Sequence, residues 1–297
     1  MNLTVRVETN VRSIIVKQSR EYVEKFPDVP APCDRVLSEI QFYDCTKGNA
    51  MIRSMTPLVL YTDYTNNVMV MEDLGQTSDY TRYFSERNTI PMAELERITE
   101  FAATLHVSYT SKNTDVEIGN QEMKKLSHFH IFVFPFDRKN GLQLDSFHPG
   151  LESVAKRYLG DQKLVNEVSK LGERFMRSDS SLLHGDYHLG SFLNTGSRVY
   201  VIDTEFCCFG DPEFDMGVMV AHLIMSEQPQ SSIDAVLRKY TSIASLDLTL
   251  CSQYAGVEIM RRIIGIAQLP LSLQNESRIT LLETAYQLIL QTKLLRA

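Results

Sequence analysis

Residues 182–217 read LLHGDYHLGSFLNTGSRVYVIDTEFCCFGDPEFDMG, and the fold turns on this stretch. It holds His184-Gly185-Asp186, then the apolar run Val199-Tyr200-Val201-Ile202, then Asp203-Thr204-Glu205. Asp186 and Asp203 are 17 positions apart, with Asn194-Thr195-Gly196-Ser197 between them, a composition that joins two strands. A hairpin there brings the two aspartates to one end of a two-stranded ribbon. Asp203 and Glu205 are i and i+2 on an extended segment, so both side chains point to one face. Three carboxylates meeting at one spot repel unless a cation sits among them, and Mg²⁺ takes such oxygens and shares them with phosphates.

One carboxylate on a loop, with others at the end of a following strand, suits phosphoryl transfer: the first accepts a hydroxyl proton and the others hold Mg²⁺ on the nucleotide. The plainer alternative is a hairpin whose aspartates cap turns. His-Gly-Asp alone discriminates little, but Gly210-Asp211-Pro212 and Asp215 follow it here. The whole string resembles the catalytic core of the aminoglycoside-phosphotransferase and choline-kinase-like superfamily, whose small-molecule kinases share the protein kinase fold. Within that group HGDYHLGS followed by VIDTEF is most similar to the methylthioribose kinases. Most relatives carry Asn five positions after the aspartate; Ser191 stands here, as in that subgroup, which also has the Asp-x-Glu pair. The resemblance implies Asp186 as catalytic base and Asp203 and Glu205 as metal ligands, with ATP and Mg²⁺ as cofactors. It further implies His188 on the substrate side, and His184 and Asp215 as supports of the loop. Asn194, three residues beyond Ser191, reads as part of the turn.

The chain has 297 residues, 43% of them hydrophobic, enough for a large core and more than one lobe. Its formal charge is −7 with scattered basic residues, which disfavours a nucleic-acid partner. No apolar run approaches the roughly 20 residues of a membrane helix. The start, MNLTVRVETN, lacks a basic segment followed by an apolar one, so no signal peptide is expected. Five cysteines without C-x-x-C spacing suggest reduced thiols and a cytoplasmic protein, with Cys207 and Cys208 as packing residues.

Residues 3–17 alternate apolar and polar about Thr9-Asn10, a hairpin pattern, and end in Ile14-Ile15-Val16-Lys17. Lys17 is either an edge lysine in solvent or the strand lysine that contacts nucleotide phosphates. A helix is expected from about Cys33 to Asp44; its Glu39 is either solvated or the partner of that lysine. Strands at 57–61 and 68–71 flank Tyr64–Asn67 and lead into Glu72-Asp73-Leu74, where a hinge would place adenine near Met71, Glu72 and Leu74. Helices follow at about 91–107, 161–176, 216–225, 231–242, 248–268 and 276–294, with Asp215 opening the fourth-last of them. Residues 108–150 are less regular; His128, His130 and nearby phenylalanines read as an aromatic packing cluster. His106 and His222 read as core histidines. Arg261 and Arg262 lie in a mostly apolar helix, where a guanidinium needs a partner. They are either ion-paired to Glu258 and the acidic loop, or, as the resemblance implies, close to substrate hydroxyls.

These readings give an α+β, protein kinase-like, two-lobed fold: residues 1–74 as a β-rich nucleotide lobe and 75–297 as a mainly helical lobe. The expected reaction moves the γ-phosphoryl group of ATP to a hydroxyl of a small molecule, with methylthioribose favoured over aminoglycoside, choline, homoserine or fructosamine acceptors. A homodimer is implied by resemblance only. A Gly-rich loop is expected over the phosphates, yet Asn2–Val7 reads as the strand just after it and no glycine precedes Gly48. A non-catalytic relative that binds a metabolite or protein is the alternative favoured by that departure and by Ser191.

Overall fold

The computed structural model describes the chain except residues 25, 87, 114–117, 270, 272–274, 292–294 and 296–297, and the side chains of 26 and 275. The first hairpin forms as its alternation requires. β1 (Leu3–Glu8) pairs antiparallel with β2 (Ser13–Gln18), and the Thr9 hydroxyl accepts the Val11 and Arg12 amides at 3.2 and 3.0 Å to close the turn. A small hairpin, β3 (Tyr22–Val23) and β4 (Phe26–Pro30), then leads to α1 (Arg35–Thr46) and α2 (Ala50–Ser54). β5 (Val59–Asp63) and β6 (Val68–Glu72) complete a four-stranded sheet in the order β1-β2-β6-β5. Lys17 pairs with Thr4 on one side and Met69 on the other, so it stands mid-sheet and is buried, not an edge lysine. α1 packs on β5 and β6 and carries Glu39 into the interior.

The rest is mainly helical. β7 (Ser78–Asp79) and α3 (Tyr83–Glu86) precede α4 (Met92–Ser108), which packs on the later helix at residues 230–241. Then come α5 (Gln121–His128), α6 (Leu144–Phe147), α7 (Leu151–Leu159) and α8 (Gln162–Arg177). β8 (Ser181–Leu183), β9 (Phe192–Asn194), β10 (Val199–Val201) and β11 (Cys208–Gly210) frame the catalytic string as short antiparallel ribbons, β9–β10 and β8–β11. Four helices close the chain: α9 (Pro212–Met225), α10 (Gln230–Thr241), α11 (Leu248–Ile264) and α12 (Asn275–Ile289).

α9, α11 and α12 form the centre of the helical part. α9 and α11 touch at Gly217, where a Cβ would lie 2.7 Å from the Tyr254 Cβ and 2.9 Å from the Cys251 carbonyl oxygen. α11 is buried on every side from Leu250 to Ile264, as expected of a helix at a core's centre.

Several expectations need correction. α9 starts at Pro212, a favoured first-turn proline, so Asp215 lies inside its first turn instead of opening it. Residues 151–159, for which no element was expected, form α7. The 22–30 hairpin was not foreseen. The last helix is described to Ile289; the end foreseen at 294 lies outside the described residues.

Candidate active site

The catalytic string is held by its own backbone. Gly185 adopts φ +85°, and a Cβ there would fall 2.1 Å from the Phe206 carbonyl oxygen, so only glycine fits. Asp215 accepts the His184 and Gly185 amides at 2.7 and 3.0 Å and faces His106 Nε2 at 3.2 Å. His106 Nδ1 lies 2.8 Å from the Tyr240 hydroxyl, which makes it a satisfied core histidine. His184 donates from Nε2 to the Ile202 carbonyl (2.8 Å) and accepts the Asp186 amide at Nδ1 (3.3 Å). Burial holds its pKa below the ordinary value, so it stays in that neutral tautomer. The Ser191 hydroxyl donates to the Asp186 carbonyl at 2.8 Å and is buried. Asn194 donates to Glu94 at 2.9 Å and belongs to the β9–β10 turn.

The Asp186 carboxylate is 22% exposed. One oxygen faces Arg261 Nη2 at 3.3 Å and Arg262 Nη2 at 3.5 Å; the other faces His188 Nε2 at 3.2 Å. His188 Nδ1 accepts the Gly190 amide at 2.9 Å, which leaves Nε2 as the nitrogen that donates to Asp186. Burial alone would raise the Asp186 pKa, but His188 and the two guanidiniums hold it far below the usual carboxylate range. Both arginines also grip Glu258, and His222 donates to it at 3.0 Å, so the ion-paired alternative for Arg261 and Arg262 is what the structure contains. His222 is buried, and Nδ1 meets no partner among the described residues.

Burial pushes the His222 imidazole down from 6.5 to about 3. The unfolded chain therefore takes up this proton as pH falls through 6.5, while the folded chain resists until about 3. His222 thus contributes stability above pH 6.5 that is lost on acidification, about 2 kcal/mol between pH 6.5 and 5. The melting temperature should drop between pH 7 and pH 5, and drop less in His222→Phe; equal drops would refute this assignment.

Lys17 lies at the opposite side of the string. Its Nζ is 2.8 Å from both Glu39 oxygens and 2.6 Å from Asp203 Oδ1. Burial works against the ammonium charge, but Asp203 and Glu39 outweigh it and hold the Lys17 pKa well above its ordinary value. Burial pushes Glu39 up to about 7, with Lys17 opposing and Asp203 adding to the rise. The Asp203 side chain is 50% exposed, and Lys17 keeps its pKa low against burial.

The expected convergence of three carboxylates is not what forms. Asp203 sits in the left-handed region (φ 63°, ψ 50°) and Thr204–Phe206 coil into a 3₁₀ turn, so residues 203 and 205 do not share the face of an extended segment. The Glu205 carboxylate turns inward, 3.2 Å from Arg35 Nε and 2.9 Å from the Met1 amine. Among the described residues no three His, Cys, Asp or Glu side chains gather as a metal site. Arg35, buried and held by the Arg20 and Pro32 carbonyls at 2.6 Å each, was not foreseen. Nor was Asn120, whose amide donates to the Glu205 and Cys207 carbonyls at 2.8 Å and fixes this turn. Met71 is buried in β6, while Glu72 accepts the Leu58 amide at 2.8 Å and Asp73 pairs with Arg6 at 2.8 Å. His130 and Phe129 sit edge to face within the aromatic cluster that was expected.

Residues 2–249 match the Phosphotransferase enzyme family (APH). The chain belongs to this family. It is a small-molecule kinase that phosphorylates a hydroxyl. A methylthioribose kinase from Geobacillus sp. (strain WCH70) is 26% identical over 90% of this phosphotransferase and 76% of its own length. One from Geobacillus kaustophilus (strain HTA426) is 28% identical over 86% and 74%. In fold, this phosphotransferase is similar to choline kinase LicA from Streptococcus pneumoniae, also solved with AMP: TM-score 0.56, 14% identity, 97% of this chain and 89% of that one. The fold is thus the two-lobed, protein kinase-like one. No helix among the described residues is long and apolar enough to cross a membrane.

Proposed function

We propose that this phosphotransferase moves the γ-phosphoryl group of Mg·ATP to a hydroxyl of methylthioribose. The observation that carries the substrate is the pair of guanidiniums, 3.3 and 3.5 Å from Asp186. A site that places two positive groups beside its catalytic carboxylate repels choline or an aminoglycoside and suits a neutral polyol, whose oxygens accept from Arg. The curated relatives' name agrees with this choice.

In this reading residues 1–74 form the nucleotide lobe, with adenine against Met71 to Leu74, and 75–297 form the acceptor lobe. Lys17, held by Glu39, contacts the phosphates. Mg²⁺ needs only one or two carboxylates beside phosphate oxygens and water. The half-exposed Asp203 fits that need, whereas Glu205 is engaged by Arg35 and would be a second ligand only after leaving it. When bound, the ion neutralises charge on the transferring group. Asp186 orients the attacking hydroxyl and takes its proton late. Its carboxyl is too weakly basic for early abstraction, which matches a loose transition state that asks mainly for positioning.

An acceptor panel of methylthioribose, choline, homoserine, a fructosamine and an aminoglycoside, each with ATP and Mg²⁺, tests the assignment. Turnover should concentrate on methylthioribose. Preference for a cationic acceptor would overturn it.

A further inference from the structure

Glu258 is a buried carboxylate, 1% exposed, on which three cationic or potentially cationic side chains converge. Residues 258, 261 and 262 lie at i, i+3 and i+4 on α11 and share one face. One Glu258 oxygen accepts from Arg262 Nε (2.7 Å), Arg261 Nη2 (3.2 Å) and His222 Nε2 (3.0 Å); the other accepts from Arg261 Nε. Each guanidinium is therefore held by its Nε edge and turns an Nη2 to the same Asp186 oxygen. Behind them His222 stacks on His188, with ring centroids 5.0 Å apart, and His188 returns to the other Asp186 oxygen at 3.2 Å. The contacts form a closed ring: Asp186, the two arginines, Glu258, His222, His188.

We propose that Glu258, fixed by His222, is the positioning residue of the acceptor site: it holds Arg261 and Arg262 in the one arrangement that receives acceptor hydroxyls beside Asp186. This deepens the function proposed above and rests on its placement of the arginines toward the acceptor. Two adjacent guanidiniums repel, and long side chains resist being fixed in one rotamer. A single carboxylate gripping both Nε edges offsets the repulsion and orders them before the acceptor arrives, which lowers the cost of binding. Neither Glu258 nor His222 touches the reacting atoms; both act through the arginines.

Steady-state kinetics with methylthioribose and ATP on the full chain, for wild type, Glu258→Gln, His222→Phe and His222→Gln, tests this. Glu258→Gln should raise the acceptor KM roughly 10- to 100-fold while the ATP KM stays within about twofold. His222→Phe should do the same more weakly, and His222→Gln, whose amide restores a donor to Glu258, should recover the wild-type value. Parallel rises in both KM values, or an unchanged acceptor KM in folded variants, would overturn the proposal. If Glu258→Gln fails to fold, the His222 pair decides by itself. The Nε–H NMR signals of Arg261 and Arg262 provide a readout without acceptor: slow exchange with water in wild type and fast exchange in His222→Phe supports the ring, and equal exchange refutes it. Lack of wild-type turnover with methylthioribose would sink the substrate reading, and the Nε–H exchange would still decide this one.

Discussion

Asp186→Asn should lower turnover by about 10³-fold while leaving the affinity for Mg·ATP within about twofold. The substitution keeps size and shape, so the Gly185 turn and the two amide hydrogen bonds donated to Asp215 survive. What changes is charge and donor count. In the native loop both carboxylate oxygens receive donors, from Arg261 and Arg262 on one side and His188 on the other. An asparagine must turn its NH₂ toward one of those donors, so a repulsive contact replaces an attractive one. No oxygen then remains with enough negative charge to orient and deprotonate the acceptor hydroxyl. In the proposed reading nucleotide binding would draw on Lys17 and Asp203 instead, and should be spared. The check is kcat by a coupled ADP assay together with the nucleotide Kd by calorimetry. Turnover within tenfold of wild type would remove Asp186 from the chemistry.

Lys17→Met should cost both catalysis and stability, and the two losses should separate. Methionine fills similar space but leaves the fully buried Glu39 facing Asp203 without the ammonium that now bridges them. Breaking a buried pair from one side costs about 3 kcal/mol or more. Part of that is escaped by protonation, because burial already pushes Glu39 up to about 7. A group with a raised folded pKa contributes below its unfolded value and loses that contribution as pH rises through the folded one. The variant should therefore be less stable at pH 8 than at pH 6. Adding Glu39→Leu should restore stability, since an apolar pair replaces an unpaired charge, yet leave kcat/KM about 10²-fold down for want of the phosphate-facing charge. Recovery of kcat/KM in the double variant would show that Lys17 serves the fold alone.

Local patterns carried much of the architecture. The alternation of residues 3–17, the β-branched run into Lys17 and the turn at 194–197 each specify a hairpin by short-range chemistry, and each hairpin is there. The long amphipathic helices were legible because their stripes run several turns; α4 and α8 lie within about two residues of their expected ends. α7 spans only nine residues with three buried positions, too short a stripe to separate from a loop. The catalytic string was legible as a string, but not the path of its backbone at Asp203. Period-two reasoning presumes extended chain, and the left-handed residue there breaks it. The destination of the Glu205 carboxylate depends on Arg35, 170 positions earlier, which no local pattern connects to it. Likewise Glu258 and His222 each read as ordinary on their own helices; only the packing of α9 against α11 joins them.

The hydrogen bonds that the His184 and Gly185 amides donate to Asp215 also bear on the stiffness of the site. The first turn of a helix buried in the molecule's centre is fastened to the floor of the reaction chamber. That floor cannot rise to meet its reactants without dragging the core along.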